Sequence, residues 1–355
     1  MLALTSVLQP LACSDFYMPI NNTSFRLSVR TMDLGDDGGW NVTSVPRGLQ
    51  RVQMHKPPVG KPLEWLSIYG YVGFAAPKGG FPVNNAIGES MNEKGLSCGA
   101  LALVPSKMPT ASATKPNLHM TEFCRWSVEM FETVSQVKTA LVNDVQLYGH
   151  GTMGFDYTHW VLRDATGASL VVEAPGPDAG TINPGTLHIH DDPNDGKNGF
   201  GIMTNEPPFE FHLANARHLS WKRTLVRQAV GIPGSWYPEE RFLRVLMVKE
   251  AMPPPQSLQA AVAQAVATLN TITVPLGQPP GTDSGPRSAE HGESDHSLWG
   301  VVRDHRDPAI YFRSAVNPSL QRIRLGDLNL TPGAPTKTLQ VDGGPWFADA
   351  VGRLA

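Results

Sequence analysis

Leu11-Ala12-Cys13-Ser14-Asp15-Phe16, followed by Ser28-Val29-Arg30-Thr31-Met32-Asp33-Leu34, holds the residues on which both fold and chemistry turn. A cysteine behind a short apolar leader, with an Arg-x-x-Asp strand downstream, fits a nucleophile that cleavage frees and charge then holds. A thiol with an ordinary pKa near ~8.5 is mostly protonated at neutral pH and needs help to act. If Ala12 is cut away, the α-amine of Cys13, with a pKa of about 7.7–8.0, lies beside the sulfur and can take its proton. Arg30 and Asp33 are three apart, so an extended strand would turn them to opposite sides. The chain must bend near Met32 for both to reach Cys13. On spacing alone, a surface Arg–Asp pair closing a strand is the simpler reading.

Residues 1–12, MLALTSVLQPLA, are apolar and end in a small residue, like the tail of a secretory signal. They lack a basic start, and the apolar run is short. We read them as a removed leader or propeptide, with export to a periplasmic or extracellular space as the expected destination. A lipoprotein signal is the alternative, and Pro10 speaks against it. Sequons in Asn21-Asn22-Thr23-Ser24, Asn41-Val42-Thr43 and Asn329-Leu330-Thr331 matter only in a glycosylating secretory route.

The 355 residues are 41% hydrophobic and 17% charged, enough apolar material for a large core. The 29 basic against 32 acidic residues, with no Lys/Arg run, argue against nucleic acid as a partner. No stretch approaches the ~20 apolar residues of a spanning helix. The 34 glycines and 31 prolines point to many turns and a β-rich chain. Three cysteines leave at least one free thiol. Two reduced, buried cysteines at Cys98 and Cys124 are the simpler reading, and a bridge between them is the other.

Strands are expected near 25–32, 66–75 and 97–104, then as a hairpin of Thr158–Arg163 with Ser169–Glu173 around Asp164-Ala165-Thr166-Gly167. A short strand ends at Asn205, and a last hairpin pairs Ser297–Arg303 with Ala309–Arg313. Phe123, Trp126, Met130, Phe131, Val134, Val137 and Leu141 recur at helical spacing and predict one amphipathic helix over 120–142. Further helices are expected over 213–229, 238–251 and 256–270, an exposed loop over 277–294, and a surface-wrapping tail beyond about 330. Strands and helices come in blocks rather than in βαβ alternation, which favours an α+β layered fold.

Several ordered segments carry a family resemblance: Ser28–Leu34, Met91-Asn92-Glu93-Lys94-Gly95-Leu96, His159–Asp164 through Glu173, Thr204-Asn205-Glu206-Pro207-Pro208-Phe209, Gly231-Ile232-Pro233-Gly234 through Glu240-Arg241-Phe242, and Ser297-Leu298-Trp299. Together they resemble the choloylglycine hydrolase and penicillin V acylase family of N-terminal-nucleophile hydrolases, over roughly residues 13 to 325. The resemblance implies a four-layer αββα sandwich with two antiparallel sheets in one domain, 13–330, and a C-terminal extension, 331–355. It implies Cys13 as nucleophile with its α-amine as base, Asp33 binding that amine, and Arg30 beside the sulfur. Asn205 would donate its side-chain amide to the oxyanion, a contribution of roughly 2.7–4 kcal/mol, and Arg241 would tie the site together. It implies a small-molecule acyl amide as substrate, such as penicillin V, an N-acyl homoserine lactone or a conjugated bile salt. No cofactor or metal is implied, and a homotetramer is the assembly it suggests.

Two features depart from the family: Ser14 stands where Thr is usual, and no second oxyanion donor can be placed in Leu103–Pro109. Asn92 is read as a turn-shaping residue. His188 and His190, with Asp191-Asp192, lack a third spaced ligand group and are read as a polar hairpin. The competing class is a non-catalytic secreted or lipid-anchored binding protein that keeps the fold.

Overall fold

A computed structural model describes residues 13–18, 25–34, 39–76, 87–104, 106–149, 157–177, 185–192, 201–225, 231–276 and 296–354, with side chains left aside at 219–225. The leader, the Asn21 sequon, Gly79-Gly80, His150, His291 and the 277–294 loop lie outside the described residues.

In the first half of the chain the strands are β1 (Ser14–Tyr17), β2 (Leu27–Leu34), β3 (Asn41–Val45), β4 (Gln50–Val52), β5 (Glu64–Leu66), β6 (Tyr71–Ala75), β7 (Glu89–Asn92), β8 (Ser97–Ala102), β9 (Asn117–His119) and β10 (Gln146–Tyr148). In the second half come β11 (Thr158–Arg163), β12 (Ser169–Glu173), β13 (His188–Asp192), β14 (Ile202–Met203), β15 (His296–Asp304), β16 (Ala309–Ser314), β17 (Gln321–Arg324) and β18 (Lys337–Gln340). One sheet has six strands in the order β14-β1-β2-β15-β16-β17, and the other eight in the order β13-β12-β11-β8-β7-β6-β3-β18. Every pairing within these two sheets is antiparallel.

The helices α1 (Phe123–Met130) and α2 (Val134–Asn143) cover the eight-stranded sheet. On the six-stranded sheet lie α4 (Pro238–Ala251) and α5 (Leu258–Ile272), with α3 (Phe209–Leu225) packed against α4. The order is helix, sheet, sheet, helix. Alternation along the eight-stranded sheet explains why both its faces are apolar. Leu101, Val161 and Val171 join the core cluster shared with Phe16, Val29 and Val301 of the other sheet. Their neighbours Ala100, Trp160 and Val172 join Phe123 and Trp126 under the helices.

The expected helix over 120–142 is broken. Phe131 is extended, with φ −130° and ψ 156°, and α2 restarts at Thr133, whose hydroxyl and the Gln136 side chain form a capping box. That local start signal overrides a continuous apolar period. The expected strand over 66–75 is also split. Ile68 and Tyr69 donate their N–H groups to the Glu129 carbonyl, and the chain turns there before β6. Cys98 of β8 and Cys124 of α1 are bonded as a disulfide, so the reduced pair expected from the sequence is corrected. Cys13 is the free cysteine, and it is buried. The tail beyond 330 supplies β18, an edge strand on β3.

Candidate active site

Cys13 sits at the head of β1, a wholly buried strand wedged between β14 and β2. Its backbone is gripped on both sides. The Cys13 N–H donates to Asn205 Oδ1 at 2.6 Å, and Arg241 Nη1 donates to the Cys13 carbonyl at 2.7 Å and to Ser14 Oγ at 2.5 Å. Arg241 Nη2 reaches Asn205 Oδ1 at 2.8 Å, and its Nε is tied to the Trp236 carbonyl at 2.8 Å. Arg241 comes from α4 and is fully buried, so its planar fork fixes three separate segments at once.

Asn205 follows β14 and is equally buried. Its Nδ2 donates to the Ala102 carbonyl at 2.9 Å, which leaves its second amide hydrogen for an incoming oxygen. The Asn205 carbonyl is held by His212 Nε2 at 3.1 Å. Burial pushes His212 down to about 4, so it is neutral and Nε2 carries the proton that it donates.

Around the sulfur, Arg30 Nη2 stands 3.9 Å from Cys13 Sγ and Met32 Sδ stands 3.7 Å away. Arg30 lies over the Trp299 ring and donates to the carbonyls of Gly88 and Ala100. It needs Gly99 beside it, because a Cβ there would overlap Arg30 Nη1. The Asp33 carboxylate accepts from Ser297 Oγ at 2.5 Å and from Thr31 Oγ1 at 3.2 Å. β2 keeps its alternation here: Arg30 and Met32 turn to the Cys13 sulfur while Thr31 and Asp33 meet on the other face, so the bend expected near Met32 is corrected. The irregularity is in the partner strand β15, where Ser297 faces Asp33 and Trp299 faces Met32, so that Leu298 is an extra residue, a bulge. Burial pushes the Cys13 thiol up, and the opposing pull of Arg30 does not overcome it. With a peptide nitrogen at Cys13, the sulfur is therefore held as a thiol.

Arg30 is also the end of a buried chain of charge running between the two sheets. Arg163 pairs with Asp15 at 2.5 Å, Asp15 with Arg303, Arg303 with Glu89 at 3.1 Å, and Glu89 with Arg30 at 3.4 Å, all with side chains 0% exposed. Three cations alternate with two anions. When both carboxyls are ionised one positive charge is left over, and the member beside the sulfur is a cation.

Residues 13–341 match the choloylglycine hydrolase family of linear amide C–N hydrolases. The chain belongs to that family. It is 26% identical over 342 residues to a penicillin V acylase of Pectobacterium atrosepticum, covering 91% of this chain and 83% of that protein. It is 27% identical over 244 residues to a bile salt hydrolase/transferase of Clostridium perfringens, covering 63% of this chain and 68% of that protein. Among solved structures, a penicillin V acylase from Agrobacterium tumefaciens superposes with a TM-score of 0.73 at 25% identity, covering 92% of this chain and 91% of the other. The four layers are those of the family's N-terminal-nucleophile fold, and the protein is a linear amide hydrolase by family.

All five residues singled out in the sequence of this family member, Cys13, Arg30, Asp33, Asn205 and Arg241, meet in one place. With a peptide nitrogen at Cys13, Asn205 Oδ1 receives the Cys13 N–H, and the Asp33 carboxylate accepts from Ser297 and Thr31. Asn92 shapes the β7–β8 turn, accepting from the N–H groups of Lys94 and Leu96 and donating to the Val128 and Phe131 carbonyls. The sequence reading missed Ser297, Ser14, Glu89, Asp15, Arg163 and Arg303. A signal existed: Arg163 and Arg303 each close an apolar strand before an Asp, and a charge at the end of a buried strand implies a buried partner. It also missed a third group beside His188 and His190. Glu173 lies directly across from His188 in register, and one ligand atom of each of the three lies within 4.8 Å of the others.

Proposed function

We propose that the mature protein begins at Cys13 and hydrolyses a linear amide through that cysteine. The observation that carries this is the double grip on Cys13, its main chain held by Arg241 and Asn205 and its sulfur beside Arg30. The family match also begins at residue 13. Once Ala12 is removed, the thiol proton passes to the new α-amine and the sulfur attacks the amide carbonyl. A C–S bond forms, and the oxyanion is met by the remaining Asn205 amide hydrogen. Arg30, at the end of a chain of buried charge, favours the anionic sulfur. The C–N bond then breaks, the leaving amine takes the proton, and water cleaves the thioester to release the acid.

The substrate class is a bulky or apolar acyl amide. Penicillin V comes first, because the penicillin V acylase relative aligns over 91% of this chain and the bile salt hydrolase relative over 63%. N-acyl homoserine lactones and conjugated bile salts are the next candidates. The buried Cys98–Cys124 bridge suits an oxidising, exported location. The family match favours catalysis over a binding-only role.

Intact mass and N-terminal sequencing of the purified protein should show a chain starting at Cys13 with a free amine. Cys13→Ala should abolish hydrolysis of penicillin V, glycocholate and a long-chain acyl homoserine lactone while circular dichroism stays unchanged. A mature chain that keeps Met1, or undiminished turnover by Cys13→Ala, would overturn the mechanism.

A further inference from the structure

We propose that Glu173, His188 and His190 form a binding site for one divalent transition-metal ion, with zinc the best match, on the edge of the eight-stranded sheet. Two imidazoles and one carboxylate are a donor set that zinc takes with a further position open to water. The register brings them together. Glu173 of β12 is directly opposite His188 of β13, and His190 is two residues on, so all three project from the same face. Asp191 projects from the other face, where Lys138 of α2 pairs with it at 2.7 Å, and so it is not a fourth ligand.

The spacing of the donor atoms suits a metal. His190 Nε2 lies 3.5 Å from Glu173 Oε1, and this buried nitrogen makes no hydrogen bond. Ligand bonds of 2.0–2.1 Å in a tetrahedron place neighbouring donor atoms about 3.3 Å apart, so this edge is already near the right length. The third donor, from His188, lies within 4.8 Å of the other two. The two histidine rings do not stack; their centroids are 6.3 Å apart and their planes 58° apart.

Support and access are also present. The Glu173 carboxylate accepts from the Phe209 N–H at 3.1 Å and 3.2 Å and from His159 Nδ1 at 3.5 Å, the outer contacts that orient a metal-binding carboxylate. The His190 ring packs 5.3 Å from the Phe209 ring. A cleft of about 320 Å³, lined in part by His190 and Phe209, gives an ion a path in. Phe209 opens α3, four residues after Asn205. An ion here would pin the β12–β13 hairpin to the segment that carries Asn205, a structural role outside the reaction.

The test uses untagged protein stripped with EDTA and titrated with Co²⁺, then with Zn²⁺ in competition with a chromogenic chelator. The expected result is one equivalent per chain, visible absorption of low-symmetry Co²⁺, and a higher melting temperature with Zn²⁺. His188→Ala and His190→Ala should each weaken binding by about a hundredfold or more, with circular dichroism confirming that each variant is folded. Absence of saturable binding by the wild-type chain would overturn the proposal whatever the variants do. Binding by the folded double variant equal to wild type would overturn it as well.

Discussion

Two carboxylates of the same buried charge chain should answer pH in opposite ways. Asp15 sits between Arg163 and Arg303, and those guanidinium groups hold its carboxyl below the ordinary range despite complete burial. Asp15→Asn removes the anion from two buried cations and turns an amide N–H₂ toward one of them. Breaking a buried pair in this way costs about 3–5 kcal/mol, a fifth or more of the ~5–15 kcal/mol that holds a typical protein together. Because the folded pKa is depressed, this stability is present above the unfolded pKa and is lost as pH falls through the folded one. The gap between wild type and Asp15→Asn should be full at pH 7.5 and should close below about pH 4.

Glu89 is the reverse case. Burial outweighs Arg303 and Arg30 and pushes its carboxyl up to about 7. The fold prefers the neutral acid, so the associated stability is full below the unfolded value near ~4.3 and is lost as pH rises through 7. A shift of this size corresponds to about 4 kcal/mol, at ~1.4 kcal/mol per unit. Gln mimics the neutral acid, so Glu89→Gln should lose the pH dependence between about 4.5 and 7 and should be no less stable than wild type at pH 8. Urea unfolding followed by tryptophan fluorescence, at constant ionic strength from about pH 2.5 to pH 8, reads both variants. The reasoning fails if Asp15→Asn lies within about 1 kcal/mol of wild type at pH 7.5. It fails equally if the two variants depend on pH in the same way.

The disulfide should leave a single reactive thiol, from Cys13, in the denatured and unreduced chain, and three after reduction; three before reduction would disprove the bridge. Replacing both Cys98 and Cys124 with Ala should cost about 3–4 kcal/mol, the entropy of closing a loop with a separation of 26 residues. Arg241→Lys keeps the charge but cannot reach Cys13, Ser14, Asn205 and Trp236 together. With charged hydrogen bonds worth about 1.5–3 kcal/mol each, kcat/KM should fall by about a hundredfold or more, and retention of wild-type kcat/KM would rule out the clamp.

The layers of this fold were legible because alternation and blocks of helix survive in local sequence: Val161 and Val171 face one core, Trp160 and Val172 the other. The five site residues were legible through ordered motifs. Spacing alone placed Arg30 and Asp33 on opposite faces of β2, and what meets Asp33 on its face, Ser297, lies 264 residues away, beyond any local window. The ion partners were hidden for the same reason, since Arg163 and Arg303 meet Asp15 across 148 and 288 residues. Cysteine counting could not tell a buried pair from a bridge. Glu173 was invisible as a partner of the histidines until the register of β12 against β13 was known. The break at Phe131 could have been found, because Thr133-Val134-Ser135-Gln136 is a capping box in plain sight.

The pairing of β2 with β15 has a consequence in time. Asp33 and Ser297 are 264 residues apart, and a ribosome adding about 5–20 residues per second needs roughly 13 to 50 s to span that distance. During this interval β1 and β2 exist as apolar strands without their central neighbour, exposed to wrong pairing and to holding factors. Arg241 and Ser297 are both made long after Cys13, so the surroundings of Cys13 are complete only once residue 297 has been added. Any cut before Cys13 that needs those surroundings is thereby delayed until both have folded into place, with no separate inhibitor required.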